Sequence, residues 1–93
     1  MRELPLPPIA QQLEAHEVLR VWSAADFPQQ YALETTWQDP AVWGLLLVDI
    51  ARHAARAYAG DALFTEKEAL ARIKAGFDAE WRVPTDLGAQ VHG

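Results

Sequence analysis

Four side chains in the middle of the sequence have types and spacings that suit acid–base or anion chemistry. The residues are Asp49, Arg52, His53 and Arg56. Spacings of three and four bring side chains on a helix within reach of one another. In the functional interpretation, Asp49 orients His53 as an acid or base while the arginines hold an anion. In the plainer interpretation, the four residues form a solvated helix face, with one local ion pair and basic residues near the helix C-terminus.

Other chemistries find little support in the sequence. The chain has no cysteine, which excludes disulfides, thiolate metal sites and cysteine nucleophiles. His16, His53 and His92 include no pair at the spacing of a helical zinc site. Ser23 is the only serine, and it lies within a predicted strand rather than at a strained turn. The five glycines are scattered and form no phosphate-binding loop. We therefore predict no catalytic residue, no metal site and no cofactor.

Length and charge restrict the class of protein further. The 93 residues are 51% hydrophobic and 23% charged, which is typical of one globular domain. The net charge is −5 and basic residues nowhere cluster, so neither nucleic acid nor an acidic membrane surface is an expected partner. The longest apolar run, residues 41–48, is shorter than the roughly 20 residues that cross a bilayer. The amino end lacks the apolar region of a signal peptide, and we expect a cytoplasmic protein.

Two helices are predicted in the second half of the chain. Asp39-Pro40 is a favoured helix start, and the helix is expected over about 40–59, with Gly60 as the left-handed residue after its end. Its apolar stripe comprises Trp43, Leu46, Leu47, Ile50, Ala54, Ala57 and Tyr58.

The second helix is expected over about 66–82. Thr65 and Glu68 form a capping box at its start. Its apolar stripe comprises Leu70, Ile73, Phe77 and Trp81, with Gly76 beside the stripe as a point of close approach. We expect the tryptophans of the chain to fill its core.

The first half of the chain predicts a β-hairpin. Residues of about 17–25 and 31–37 alternate in polarity, and turn-forming residues separate them, as in an antiparallel hairpin. A proline-rich extended arm, 1–10, precedes the hairpin, and a flexible polar tail, 84–93, follows the second helix. The fold class is therefore α+β, in a single domain over residues 1–93.

One face of the hairpin is expected to meet another molecule. A two-stranded hairpin is marginal alone, and two helices can cover only one of its faces. Val18, Trp22 and Ala24 make the opposite face apolar as well. A two-fold homodimer that buries this face, or extends the exposed sheet edge, would remove both problems.

Three segments carry a resemblance to a known family. They are the strand Leu19–Trp22, the helix start Asp39–His53 and the stretch Ile73–Trp81, and the opening Glu3–Pro8 is similar as well. Together they resemble a family of short, uncharacterised bacterial proteins, the domain of unknown function numbered 5076. The resemblance covers nearly the whole chain and implies a stand-alone bacterial domain. It implies no activity and no site residues, because the family has none assigned.

The sequence thus favours a non-enzymatic binding or interaction module that forms a homodimer. The alternative is a small-ligand or anion-binding protein, an enzyme included, that uses the face of Asp49, Arg52, His53 and Arg56. The two hypotheses differ in which surface does the work: a hairpin face or a helix face.

Overall fold

The computed structural model describes residues 1–84 and 89–92, the latter by its backbone. A short 3-10 helix, Pro8–Gln11, precedes two strands, β1 (Leu19–Trp22) and β2 (Gln30–Leu33). Two helices follow, α1 (Ala41–Gly60) and α2 (Glu66–Arg82), and then a third strand, β3 (Ala89–His92). The strands belong to one compact unit and the helices to another, so each unit is described by itself. The α+β class and the order of hairpin and two helices are confirmed.

The hairpin has the alternation that the sequence predicts, in shorter strands. β1 and β2 pair antiparallel, with Leu19 opposite Leu33 and Val21 opposite Tyr31. These four side chains therefore lie on one face of the sheet, because residues two apart in a strand share a face. Each strand has only four residues, since Asp26 and Thr36 take left-handed backbone conformations (φ 68° and 65°) beyond the strand ends.

A third strand lies on the other side of β2. β3 pairs with β2 in parallel, in a register that runs from Gln30 opposite Ala89 to Leu33 opposite His92. The sequence predicts a flexible tail here, and the strand corrects that prediction for residues 89–92. The short, polar segment gives little alternation of its own, and its partner lies more than fifty residues earlier in the chain. The rest of the expected tail beyond residue 84 lies outside the described residues.

The amino-terminal arm is held to β1 by charge. Residues 1–7 of the predicted extended arm, 1–10, have no regular secondary structure, whereas its residues 8–10 belong to the 3-10 helix Pro8–Gln11. The Arg20 guanidinium lies 3.6 Å from the Glu3 carboxylate and 3.1 Å from that of Glu17. These groups are exposed, so the ion pairs contribute little to stability, but they place the arm beside the strand.

The start of α1 has the chemistry that Asp39-Pro40 predicts. The Ala41 N–H donates to Asp39 Oδ1 at 2.9 Å, and Pro40 has helical dihedral angles (φ −57°, ψ −21°). Asp39 therefore acts as the N-cap and Pro40 as the first helical residue, one position before the regular helix is assigned. At α2 the Thr65 hydroxyl accepts a hydrogen bond from the Glu68 N–H at 3.1 Å, which confirms Thr65 as the N-cap.

The end of α1 differs from the prediction. The left-handed residue is Ala62 (φ 59°), not Gly60, which is the last residue of the helix itself. The Leu63 N–H donates to the Tyr58 carbonyl and the Ala62 N–H to the Ala59 carbonyl, at 3.3 and 3.0 Å. This pair of bonds is the Schellman motif, with an alanine at the position that glycine usually occupies.

Two substitutions at this helix end, one at Ala62 and one at Gly60, should therefore each raise the free energy of unfolding. Ala62→Gly removes the roughly 1–2 kcal/mol cost of a left-handed alanine. Part of this gain is offset because glycine has more conformational freedom to lose when the chain folds. Gly60→Ala gains up to about 1 kcal/mol, because a helical glycine is replaced and no group lies within 4 Å of the new methyl. Urea unfolding at fixed protein concentration measures both. If Gly60 were the left-handed residue, Gly60→Ala would be destabilising instead.

Candidate functional site

The helices α1 and α2 form an αα-hairpin with little interior. Residues 61–65 connect them, and such short connections join antiparallel neighbours. Near the connection, Arg56 Nε lies 3.7 Å from a Glu66 carboxylate oxygen. In the part of the chain that the structure describes, the only buried side chains are those of Ala55 and Ala69. The helices therefore meet through their smallest side chains.

Several large apolar side chains of the two helices are exposed, whereas Trp43, Leu46, Leu70 and Ile73 are half-buried. Leu47, Ile50 and Phe77 are between 42% and 47% exposed, and Trp81 is 77% exposed. The predicted stripes named these four residues as inward-facing, and Ala55 and Ala69 were not in them. The expectation that tryptophans fill the core is wrong for Trp81, whereas Trp43 is half-buried. The predicted stripes are apolar, but the contact between the two helices leaves these four residues exposed.

A groove between α1 and α2 collects much of this surface. Its volume is about 980 Å³, near the upper end of the range for small-molecule sites. The walls are mostly apolar and come from both helices, with a few charged side chains among them. We call this surface the groove; it is lined by Pro40, Ala41, Trp43, Gly44, Leu47, Val48, Ala51, Arg52, Lys67, Leu70, Ala71, Ile73, Lys74, Phe77, Asp78 and Trp81.

The two ends of the groove differ in charge. At the end near the helix connection it is lined by Arg52 and Lys67, and among the described residues neither has an ion-pair partner. The other end, where α1 begins and α2 finishes, carries Trp43 and Trp81. Between these ends Lys74 binds Asp78 at 2.7 Å, so these two charges neutralise each other.

The structure places one of the four candidate residues at the groove. Arg52 lines it, whereas Asp49, His53 and Arg56 do not. All four are exposed, and Arg56 is engaged with Glu66. No hydrogen bond or ion pair joins Asp49 to Arg52 or His53 within residues 1–84. The same residues include no group of three His, Asp or Glu side chains placed to hold a metal ion.

The hairpin residues predicted to form an interface are only partly accessible. Val18 and Trp22 are half-buried and Ala24 is exposed. β1 is an edge strand, because the sheet order is β1-β2-β3. The dimer contact predicted for this face stays a prediction.

The sequence predicts Leu70, Phe77 and Trp81 within the apolar stripe of α2 but does not place Lys67 and Lys74 on the same face, although the spacing gives a signal. Lys67, Leu70, Lys74, Phe77 and Trp81 line the groove at alternating intervals of three and four residues. This is the heptad spacing by which helices pack against other helices. The lysines interrupt the apolar pattern, and only the structure shows that they share its face.

Comparison with known proteins places the chain in a family. The model of a domain of unknown function, DUF5076, matches residues 3–85. The chain belongs to this family, as the three segments discussed above predict. No curated protein matches it, and no helix in the described residues has the length and apolar character needed to span a membrane.

A solved structure is similar over almost the whole chain. It is described as "Structure of a putative pyruvate dehydrogenase from the photosynthetic bacterium Rhodopseudomonas palustrus CGA009". The two sequences are 47% identical, and the match covers 98% of this chain and 93% of that one. The TM-score is 0.76, so the two chains share the fold.

Replacing the polar residues that lie off the groove should leave the fold intact. Asp49→Asn and His53→Ala each change an exposed side chain without a described partner, so we expect shifts within about 0.5 kcal/mol in the free energy of unfolding. Urea titration followed by circular dichroism measures this. A loss well above that size would mean that the two side chains support the structure through contacts that the exposed helix face does not show.

Proposed function

We propose that this protein is a non-enzymatic interaction module whose working form is a homodimer. The observation that carries the proposal is the helix pair, in which the described residues bury no side chain larger than alanine. Both helices nevertheless carry large apolar side chains. A two-helix unit has one contact and no enclosed interior, so its stable form needs further helices against it, as in a four-helix bundle.

The exposed apolar surface is of the size that an interface needs. Leu47, Val48, Phe77 and Trp81 line the groove and are each at least 45% exposed. Side chains of this size leave on the order of 500 Å² of apolar surface in water, which is comparable to the largest apolar patch on a typical monomer, and such patches often mark an interaction site. A stable interface buries about 800 Å² per partner, and these side chains would supply much of it.

The dehydrogenase named for the similar structure is not part of this proposal. Of the charged residues that line the groove, Asp78 is paired with Lys74, which leaves the cations Arg52 and Lys67. No unpaired carboxylate or histidine therefore faces the groove within the described residues. Asp49 and His53, the nearest candidates for proton transfer, lie outside it.

A second candidate function is supported by the two unpaired cations. Arg52 and Lys67 at one end of an apolar groove are suited to the acidic group of a small amphipathic ligand. This candidate keeps the anion-binding function predicted for the face of Asp49, Arg52, His53 and Arg56, but its site is the groove. The two functions exclude each other if they use the same surface, because a second subunit in the groove would displace the ligand.

If the protein is a homodimer, both the fraction of dimer and the midpoint of thermal unfolding should rise with protein concentration. Sedimentation equilibrium at micromolar concentrations should give twice the mass of the chain. The midpoint of thermal unfolding should increase with protein concentration, because mass action stabilises the folded dimer. A monomer with a concentration-independent midpoint would overturn the proposal. An octanoate titration that raises the midpoint of such a monomer would support the anion-binding candidate instead.

A further inference from the structure

No contact among the described residues requires a glycine at position 44. Gly44 lies in the interior of α1 and lines the groove. A glycine at such a position costs the helix about 1 kcal/mol relative to alanine. Yet a methyl group added there would meet nothing within 4 Å. Gly60 and Gly76 have no group within 4 Å of an added methyl either, so Gly44 differs from them in lining the groove, where its missing side chain leaves room for another molecule.

The uneven charge of the groove restricts both the chemistry and the orientation of a molecule that binds there. One end carries Arg52 and Lys67, and the other carries Trp43 and Trp81. Lys67 and Trp81 stand at opposite ends of α2, about 21 Å apart along the helix axis at 1.5 Å per residue. Cations bind favourably to the faces of tryptophan rings, so each end of the groove is complementary to the other.

We propose that the groove is the seat of a second copy of this chain, packed head to tail about a two-fold axis perpendicular to the groove. The basic end of each copy then lies against the aromatic end of its partner. The heptad spacing on α2 supplies the interlocking contacts between the copies. Gly44 lies beside Trp43 at the aromatic end, where its missing side chain leaves room for the basic end of the second copy. This inference rests on the proposed homodimer and specifies its surface and direction.

A parallel arrangement is disfavoured by charge. A two-fold axis running along the groove would place Arg52 and Lys67 of one copy near the same cations of the other. Like charges across an interface oppose association, and these cations have no described carboxylate to neutralise them. Head-to-tail packing separates them and gives each an aromatic neighbour.

Introduced cysteines report the direction of packing. The chain has no cysteine of its own, so every disulfide formed belongs to the variant. In the double variant Lys67→Cys with Trp81→Cys, the two sulfurs of one chain are too far apart to join, because a disulfide needs Cα atoms within about 7 Å. We expect mild oxidation to give covalent dimers from the double variant and few from either single variant.

The outcomes of this experiment are separable. Dimers formed readily by a single variant would mean that like ends meet, which overturns the head-to-tail packing. A wild-type dimer in sedimentation, with no cross-linking in variants that themselves sediment as dimers, would place the interface elsewhere and overturn the inference while the proposed homodimer stands. A wild-type monomer would overturn both.

A pair of glycine substitutions tests the groove without endangering the fold. Gly44 and Gly76 both lie inside helices, and neither has a group within 4 Å of an added methyl, but Gly44 lines the groove and Gly76 does not. We expect Gly44→Leu to weaken the dimer about tenfold or more, because the added side chain fills space that the second copy needs. Gly76→Leu is the matched control and should leave the dimer unchanged. Equal dimer affinity in the two variants would overturn the groove as the interface.

Discussion

The contact between α1 and α2 depends on small side chains, and the rest of the helical unit follows from that contact. Ala55 and Ala69 are fully enclosed between the helices, whereas larger residues stand to either side. Alanine at a crossing point lets two helices approach closely, but it contributes little buried apolar area. The helices therefore leave much of their apolar surface exposed, and part of that surface lines the groove. The proposed second copy would cover it.

The ends of the helices were predictable where a single local interaction determines them. Asp39 and Thr65 accept hydrogen bonds from backbone N–H groups two and three residues later, and the residue types alone indicate this. The end of α1 was not predictable in the same way. Gly60 is the usual choice for a left-handed position, yet the hydrogen bonds close two residues later, at Ala62. A preference for glycine does not determine which residue a helix uses when alanine can adopt the conformation at a modest cost.

Features that depend on distant residues were the ones that the sequence did not reveal. β3 pairs with a strand that lies more than fifty residues earlier, and its backbone supplies the hydrogen bonds whatever its side chains. The groove combines residues from two helices, so the periodicity of α1 indicates Arg52 as a face residue but not Lys67 as its neighbour. The stripes were predicted from the positions of large apolar residues. The buried residues of the two helices are instead alanines. Small side chains let two helices approach closely, whereas burying large side chains holds the helices further apart.

A dimer formed through the groove would also restrict which surfaces stay accessible to a ligand or another partner. The first half of α1 is apolar on nearly every side, with Leu45 69% exposed in addition to the residues of the groove. A helix that is hydrophobic all round is normally covered on all sides, so in the proposed dimer the groove side of this part of α1 would act as scaffold. Arg52 would be covered with it. Asp49 and His53 lie off the groove and would stay in water, as would the Arg56–Glu66 pair beside the helix connection. A polar partner or ligand of the assembled protein would then meet this second face, with two copies of it on each dimer.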